Sequence, residues 1–130
     1  MSILSAFNTQ LENLALELQS LFPKDKNLLN YMTAIQLLKK NNPRKLHTMF
    51  EKYVYIYKKN IMESEESFFL ENNFNHIAKK ESAIMIMQCL KDYWSSLSET
   101  TKKNIWLYLQ VLIKLCEKVP KKQDSIRLFT

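Results

Sequence analysis

Side chains able to move protons, attack carbonyls or hold metal ions are sparse in this chain. Histidine occurs only at His47 and His76. The two fall on different predicted helices. Neither has a second histidine or a cysteine at i+4, the spacing that puts two ligands on one helix face. Cysteine occurs at Cys89 and Cys116, far apart, inside apolar stretches and without C-x-x-C spacing. Buried free thiols in a reducing compartment are therefore expected, not a zinc or redox site. His76 and Cys89 share a predicted helix, but thirteen residues set them about 20 Å apart along it, too far for a base and its nucleophile. The acids Glu63, Glu65, Glu66 and Glu71 read as a solvated helix face. No catalytic residue, metal ligand or cofactor is predicted, and the chain is expected not to be an enzyme.

The sequence contains no glycine. Left-handed backbone positions are cheapest with glycine, so tight hairpins and phosphate-cradling loops are hard to build, whereas helices do not need it. Asparagine can serve at helix C-termini, and eleven are present, among them Asn41, Asn42, Asn72 and Asn73. The formal net charge is +6 and the isoelectric point near 9.3, which raises nucleic acid as a partner. Yet seventeen of the nineteen basic residues are lysine, with arginine only at Arg44 and Arg127. Arginine is the better fork for phosphates and bases. Abundant Lys, Asn and Ile without Gly is also what an AT-rich coding genome produces, so the charge reads first as composition bias and second as a binding footprint. Lysine doublets recur along the chain, and those at helix C-termini offset the helix dipole. Lys79, Lys80, Lys102 and Lys103 fall at predicted helix starts, where the dipole disfavours them; if they converge, they are the candidate nucleic-acid contacts.

These residues must be carried by helices. With 130 residues, 46% hydrophobic and 25% charged, the chain suits one folded domain with a real core. Leu4, Phe7, Leu11, Leu14, Leu18 and Leu21 step by three and four along a first helix that Pro23 stops. Its two and a half heptads fall short of a coiled coil, so the stripe is assigned to the core, with self-association through this helix as the alternative. Asp25 caps a second helix with Leu28, Tyr31, Met32, Ile35 and Leu38 on one face. Asn42 before Pro43 starts a third, running to about Met62 with Leu46, Met49, Phe50, Tyr53, Val54, Tyr57 and Ile61 at helical spacing. A short fourth helix starts near Ser64 and ends at Asn72 and Asn73. The fifth runs from about Asn75 to Trp94, with Ile77, Ile84, Met87, Leu90 and Trp94 inward. Ser98 caps a sixth that ends before Pro120.

Between Ile105 and Cys116 only Gln110 and Lys114 are polar, so the sixth helix is expected to be the surrounded axis of the fold. Apolar runs reach only about five residues, so no membrane span is expected. No basic segment precedes a hydrophobic run at the start, so no signal peptide is expected either. The predicted architecture is all-α: a compact bundle of five to six helices around a central apolar C-terminal helix, with one domain over 1–119 and a C-terminal tail over 120–130. Phe68, Phe69 and Phe74 then have two readings. They plug the core between the third and fifth helices, or, with Leu128 and Phe129 of the tail, they form a partner-facing patch beside carboxylates.

Trp94, Leu97, Ser98, Thr101, Lys102, Ile105, Trp106, Tyr108, Leu109 and Gln110 read W-x-x-L-S-x-x-T-K-x-x-I-W-x-Y-L-Q. Together with the opening Phe7 to Phe22-Pro23, the Asn42-Pro43 helix start and Phe68-Phe69-Leu70, this resembles a group of small helical proteins of large nucleocytoplasmic DNA viruses of algae and amoebae. The resemblance covers most of the chain and implies a viral origin, in line with the composition. It brings no catalytic residue or ligand. The expected function is that of a non-enzymatic interaction or structural protein, a virion component or assembly factor. It would act through contacts with a viral protein or with itself, inside the host cytoplasm or viral factory. The alternative is a basic accessory protein on nucleic acid in genome packaging or transcription.

Overall fold

Short-range signals set most helix ends in the computed structural model, which describes residues 2–71 and 83–120. Helix α1 (Ile3–Leu21) starts at Ser2, whose hydroxyl accepts the Ser5 N–H, and stops before Pro23, which has no N–H to continue it. Helix α2 (Lys26–Asn41) starts at Asp25, whose carboxylate accepts the Leu28 N–H at 2.9 Å. Helix α3 (Pro43–Tyr53) opens on proline as the Asn42-Pro43 pair predicts, although the Asn42 side chain makes no capping bond. Helices α4 (Lys58–Met62), α5 (Ser67–Glu71) and α6 (Ile86–Tyr93) are short. Helix α7 (Glu99–Lys118) is capped by Ser98, whose Oγ accepts the Thr101 N–H at 3.1 Å. Among the described residues there are seven α-helices and no strand. The fold is an all-α bundle. None of the described helices is long and apolar enough to cross a membrane.

The predicted third helix is broken in two. Tyr53 to Tyr57 are five consecutive aromatic or β-branched residues, whose stiff side chains crowd the preceding turn of an α-helix. Tyr55–Tyr57 tighten into a 3-10 turn between α3 and α4. Ile56 is thereby left 69% exposed while Val54 and Ile61 stay in the core. Asn42 closes α2 with its N–H on the Leu38 carbonyl but at negative φ, and the positive φ among the described residues belongs to Ser64, at 53° after α4. Asn72, Asn73, Ile77 and the first part of the predicted fifth helix lie outside the described residues.

Most of the predicted inward faces are buried: Phe7, Leu11, Leu14 and Leu18 on α1, Leu28, Met32 and Ile35 on α2, and Leu46, Met49 and Phe50 on α3, with Leu4, Tyr31, Leu38, Tyr53 and Tyr57 partly buried against them. Leu21, the last member of the α1 stripe, is exposed. Helix α7 packs mainly on α1, with α4 and α3 on its other sides. Trp94 and Trp106 enclose Phe69, with ring centroids 4.4 Å and 5.2 Å from it. Polar side chains also tie these layers together. Asn8 is buried on α1 and donates to the Pro43 carbonyl at 2.9 Å, while its Oδ1 meets no partner among the described residues. Gln110 on α7 donates to the Ile61 carbonyl at 3.1 Å and to Ser64 Oγ at 3.0 Å. It thus adds a side-chain donor at the end of α4, where the Ile61 carbonyl also accepts the Ser64 N–H at 3.1 Å.

Candidate functional site

Helix α7 is central but not surrounded. Ile105, Trp106, Leu109, Leu112, Ile113 and Cys116 are buried, whereas Leu107 is 56% and Val111 41% exposed. Lys103, Leu107 and Val111 are spaced by four and share one side of the helix. An apolar helix with neighbours on three sides keeps a fourth side, and no described element lies over it. Leu107 stands between two hollows. One, of about 660 Å³, is lined by Ser64, Glu66, Lys102, Lys103, Trp106 and Gln110 as well as Leu107. The other, of about 240 Å³, lies toward α1, between Gln10 and Glu17 on one side and Tyr108 and Val111 on the other. An apolar ridge bordered by charged rims has the make-up of an interface core and its edge.

Of the lysines proposed as nucleic-acid contacts, Lys102 and Lys103 lie among the described residues. Lys102 Nζ lies 3.2 Å from Glu66, 3.5 Å from Glu99 and 5.6 Å from the centroid of the Trp94 ring. Trp94 Nε1 donates to the same Glu66 oxygen at 3.2 Å. The charge of Lys102 is therefore paired with carboxylates of the fold. Lys103 is exposed at the end of the ridge, and Lys79 and Lys80 lie outside the described residues. Phe68 and Phe69 are core residues, 1% and 0% exposed. The core reading holds for this pair and the partner-patch reading does not, because α5 turns them toward Tyr57, Trp94 and Trp106. Phe74, Leu128 and Phe129 lie outside the described residues.

A second cluster escaped the sequence reading. A helix carbonyl four residues before a proline receives no backbone N–H, and Cys116 stands four residues before Pro120. His47 supplies the missing donor: it is 4% exposed on α3, and its Nε2 lies 3.0 Å from the Cys116 carbonyl. Because a carbonyl only accepts, Nε2 carries the hydrogen, and in the neutral ring Nδ1 keeps the lone pair. Arg44, one turn earlier, donates to the Pro120 carbonyl at 2.8 Å. Glu51 follows His47 at i+4, and ligand atoms of His47, Glu51 and Cys116 all lie within 4.8 Å of one another. The His47–Glu51 spacing was visible in the sequence. The approach of Cys116, on another helix, was not.

Both cysteines are free and buried, as expected. Burial, and then the charges of Glu51 and Glu117, push the Cys116 thiol up to about 12. Burial, and then Asp25 and Asp92, push Cys89 up to about 12 as well. Thiols held protonated in this way are poor nucleophiles near neutral pH. Beside Cys116, the Glu117 carboxylate is held below its ordinary range by Lys58 at 2.5 Å and the Tyr55 hydroxyl at 2.6 Å.

Fold and surface together define an all-α helical bundle whose central helix is open along one side. No protein-family model matches the chain, and no curated protein or solved structure is significantly similar to it.

Proposed function

We propose that the chain is a non-catalytic interaction protein that binds a protein partner through the open side of α7. The observation that carries this reading is the exposure of Leu107 and Val111, 56% and 41%, on a helix whose other side is core. Exposed apolar ridges with polar rims are where partners dock. The setting proposed is a large DNA virus, in the virion or its assembly. The W-x-x-L-S-x-x-T-K-x-x-I-W-x-Y-L-Q pattern and the lysine-rich, glycine-free composition support it. The test is co-purification of partner proteins from infected cells with the wild-type chain and with Leu107→Asp/Val111→Asp. The double variant is expected to lose its partner while unfolding at an unchanged temperature. Equal recovery by both chains refutes the reading. Light scattering over a concentration series shows whether the partner is a second copy docked on α7, a different surface from the first-helix stripe considered for self-association.

The nucleic-acid reading keeps the net charge of +6 and the exposed Lys103 as support, but loses Lys102 to Glu66 and Glu99. Binding of DNA or RNA that survives about 150 mM salt favours it, and its absence there removes it.

A further inference from the structure

The junction between α3 and the end of α7 brings together a nitrogen, an oxygen and a sulfur donor from three residues. We propose that His47, Glu51 and Cys116 bind a zinc-class divalent transition-metal ion that clips α3 to the C-terminal end of α7. The donor set selects the metal. Imidazole and thiolate favour zinc-like ions, whereas calcium and magnesium take oxygen ligands.

The geometry is close to what such an ion needs. Tetrahedral bonds of about 2.0–2.3 Å require ligand atoms roughly 3.3–3.8 Å apart. The three donors lie within 4.8 Å of one another, so closing the site takes a movement of about 1 Å. Glu51 is exposed and free to rotate into place, while His47 and Cys116 are fixed in the core. The hydrogen bond from His47 Nε2 to the Cys116 carbonyl is the outer contact that metal-bound histidines commonly make. It orients the ring, and a metal would take the nitrogen that this bond leaves free. A hollow of about 340 Å³ lined by Glu51, Tyr55, Cys116, Glu117 and Val119 gives the ion a way in and leaves room for water as a fourth ligand. Glu117 does not compete, because Tyr55 and Lys58 already hold its carboxylate. On binding, the Cys116 thiol gives its proton to solvent. One thiolate and one carboxylate then balance the two charges of the ion.

The test is titration of the chelator-stripped full chain with Co²⁺, followed by displacement with Zn²⁺. Saturation at one Co²⁺ per chain is expected, with a near-ultraviolet thiolate-to-cobalt charge-transfer band and the visible bands of a four-coordinate ion. Cys116→Ser should abolish the charge-transfer band and Cys89→Ser should keep it. Glu51→Ala should weaken Co²⁺ binding about tenfold or more while leaving thermal unfolding in chelator unchanged, since its side chain is exposed. Any of three results overturns the proposal: no saturable band in the wild type, a band that survives Cys116→Ser, or unweakened binding by Glu51→Ala. Should Cys116→Ser fail to fold, Glu51→Ala decides alone.

Discussion

Replacing His47 by phenylalanine isolates the hydrogen bond that ends α7. The new ring fills nearly the same space and can keep the edge contact with Phe7, whose centroid is 5.6 Å from that of His47. What it cannot keep is the donor to the Cys116 carbonyl, now 3.0 Å from His47 Nε2. A buried carbonyl left bare costs about 1–3 kcal/mol. For a chain of 130 residues each kcal/mol lowers Tm by roughly 4 °C, so His47→Phe should unfold about 4–12 °C earlier. The assay is thermal and urea denaturation in chelator, so that no metal contributes. The cause assigned here is Pro120, which withholds the N–H that would otherwise reach Cys116. Pro120→Ala restores that N–H and removes the bias that proline places on Val119, so the helix can run one step further. In the Pro120→Ala background, His47→Phe should therefore cost less, with a coupling of about 1 kcal/mol or more. An equal cost in both backgrounds refutes the argument, because the carbonyl would then not owe its need for His47 to the proline.

The two sides of α7 should respond oppositely to truncation. Leu112→Ala, in the core at 0% exposure, should cost about 2–5 kcal/mol, while Leu107→Ala should stay within about 0.5 kcal/mol of wild type, both read from urea midpoints. Asp25 is held below its ordinary value first by the Tyr93 hydroxyl and then by the Leu28 N–H. Its contribution is therefore complete above the unfolded carboxyl value near 3.8 and lost as pH falls through the lower folded value. Asp25→Asn should accordingly be less stable than wild type at pH 6, with the gap closing in acid. Tyr93, which donates to Asp25, is pushed up to about 12, so its contribution is lost as pH rises from 10.0 toward that value. Tyr93→Phe should not show this alkaline loss in a pH series of urea midpoints.

What the sequence made legible was whatever rests on neighbours within a turn or two. Asp25 and Ser98 cap helices because side chains of their kind reach an amide three residues on. The alternating steps of four and three between Phe7, Leu11, Leu14 and Leu18 put them on one buried face. The break at Val54 was hidden because Ile61 is seven residues on, and a tight turn between them keeps both on the core side. The occupation of Lys102 was hidden for a different reason: Glu66 lies 36 residues away, and nothing in a local window announces the pairing. His47 was read as an isolated histidine, although Pro120 four residues after Cys116 leaves a carbonyl that needs a donor. That clue names the acceptor and not the donor, which comes from 69 residues away. The exposed side of α7 was the least legible feature, since a helix apolar nearly all round does not say which side its neighbours leave bare.

The exposure of Leu107 and Val111 is set by polar ties elsewhere on the same helix. At one end Lys102 is held by Glu66 and Glu99. In the middle Gln110 serves the Ile61 carbonyl, and at the far end His47 serves that of Cys116. Rotating α7 by one residue, about 100°, to bring Leu107 inward would break these ties together. The Cys116 carbonyl would lose its donor at about 1–3 kcal/mol, the Ile61 carbonyl would keep only the Ser64 N–H, and the ring contacts of Trp106 with Phe69 and Trp94 would be lost besides. The gain from covering one leucine and one valine that are already about half buried is roughly 1 kcal/mol apiece. The orientation that shows the ridge to solvent therefore wins, and internal rearrangement is a poor way to hide it. That is why the proposed partner is placed on this side of α7 and not on the buried Phe68 and Phe69.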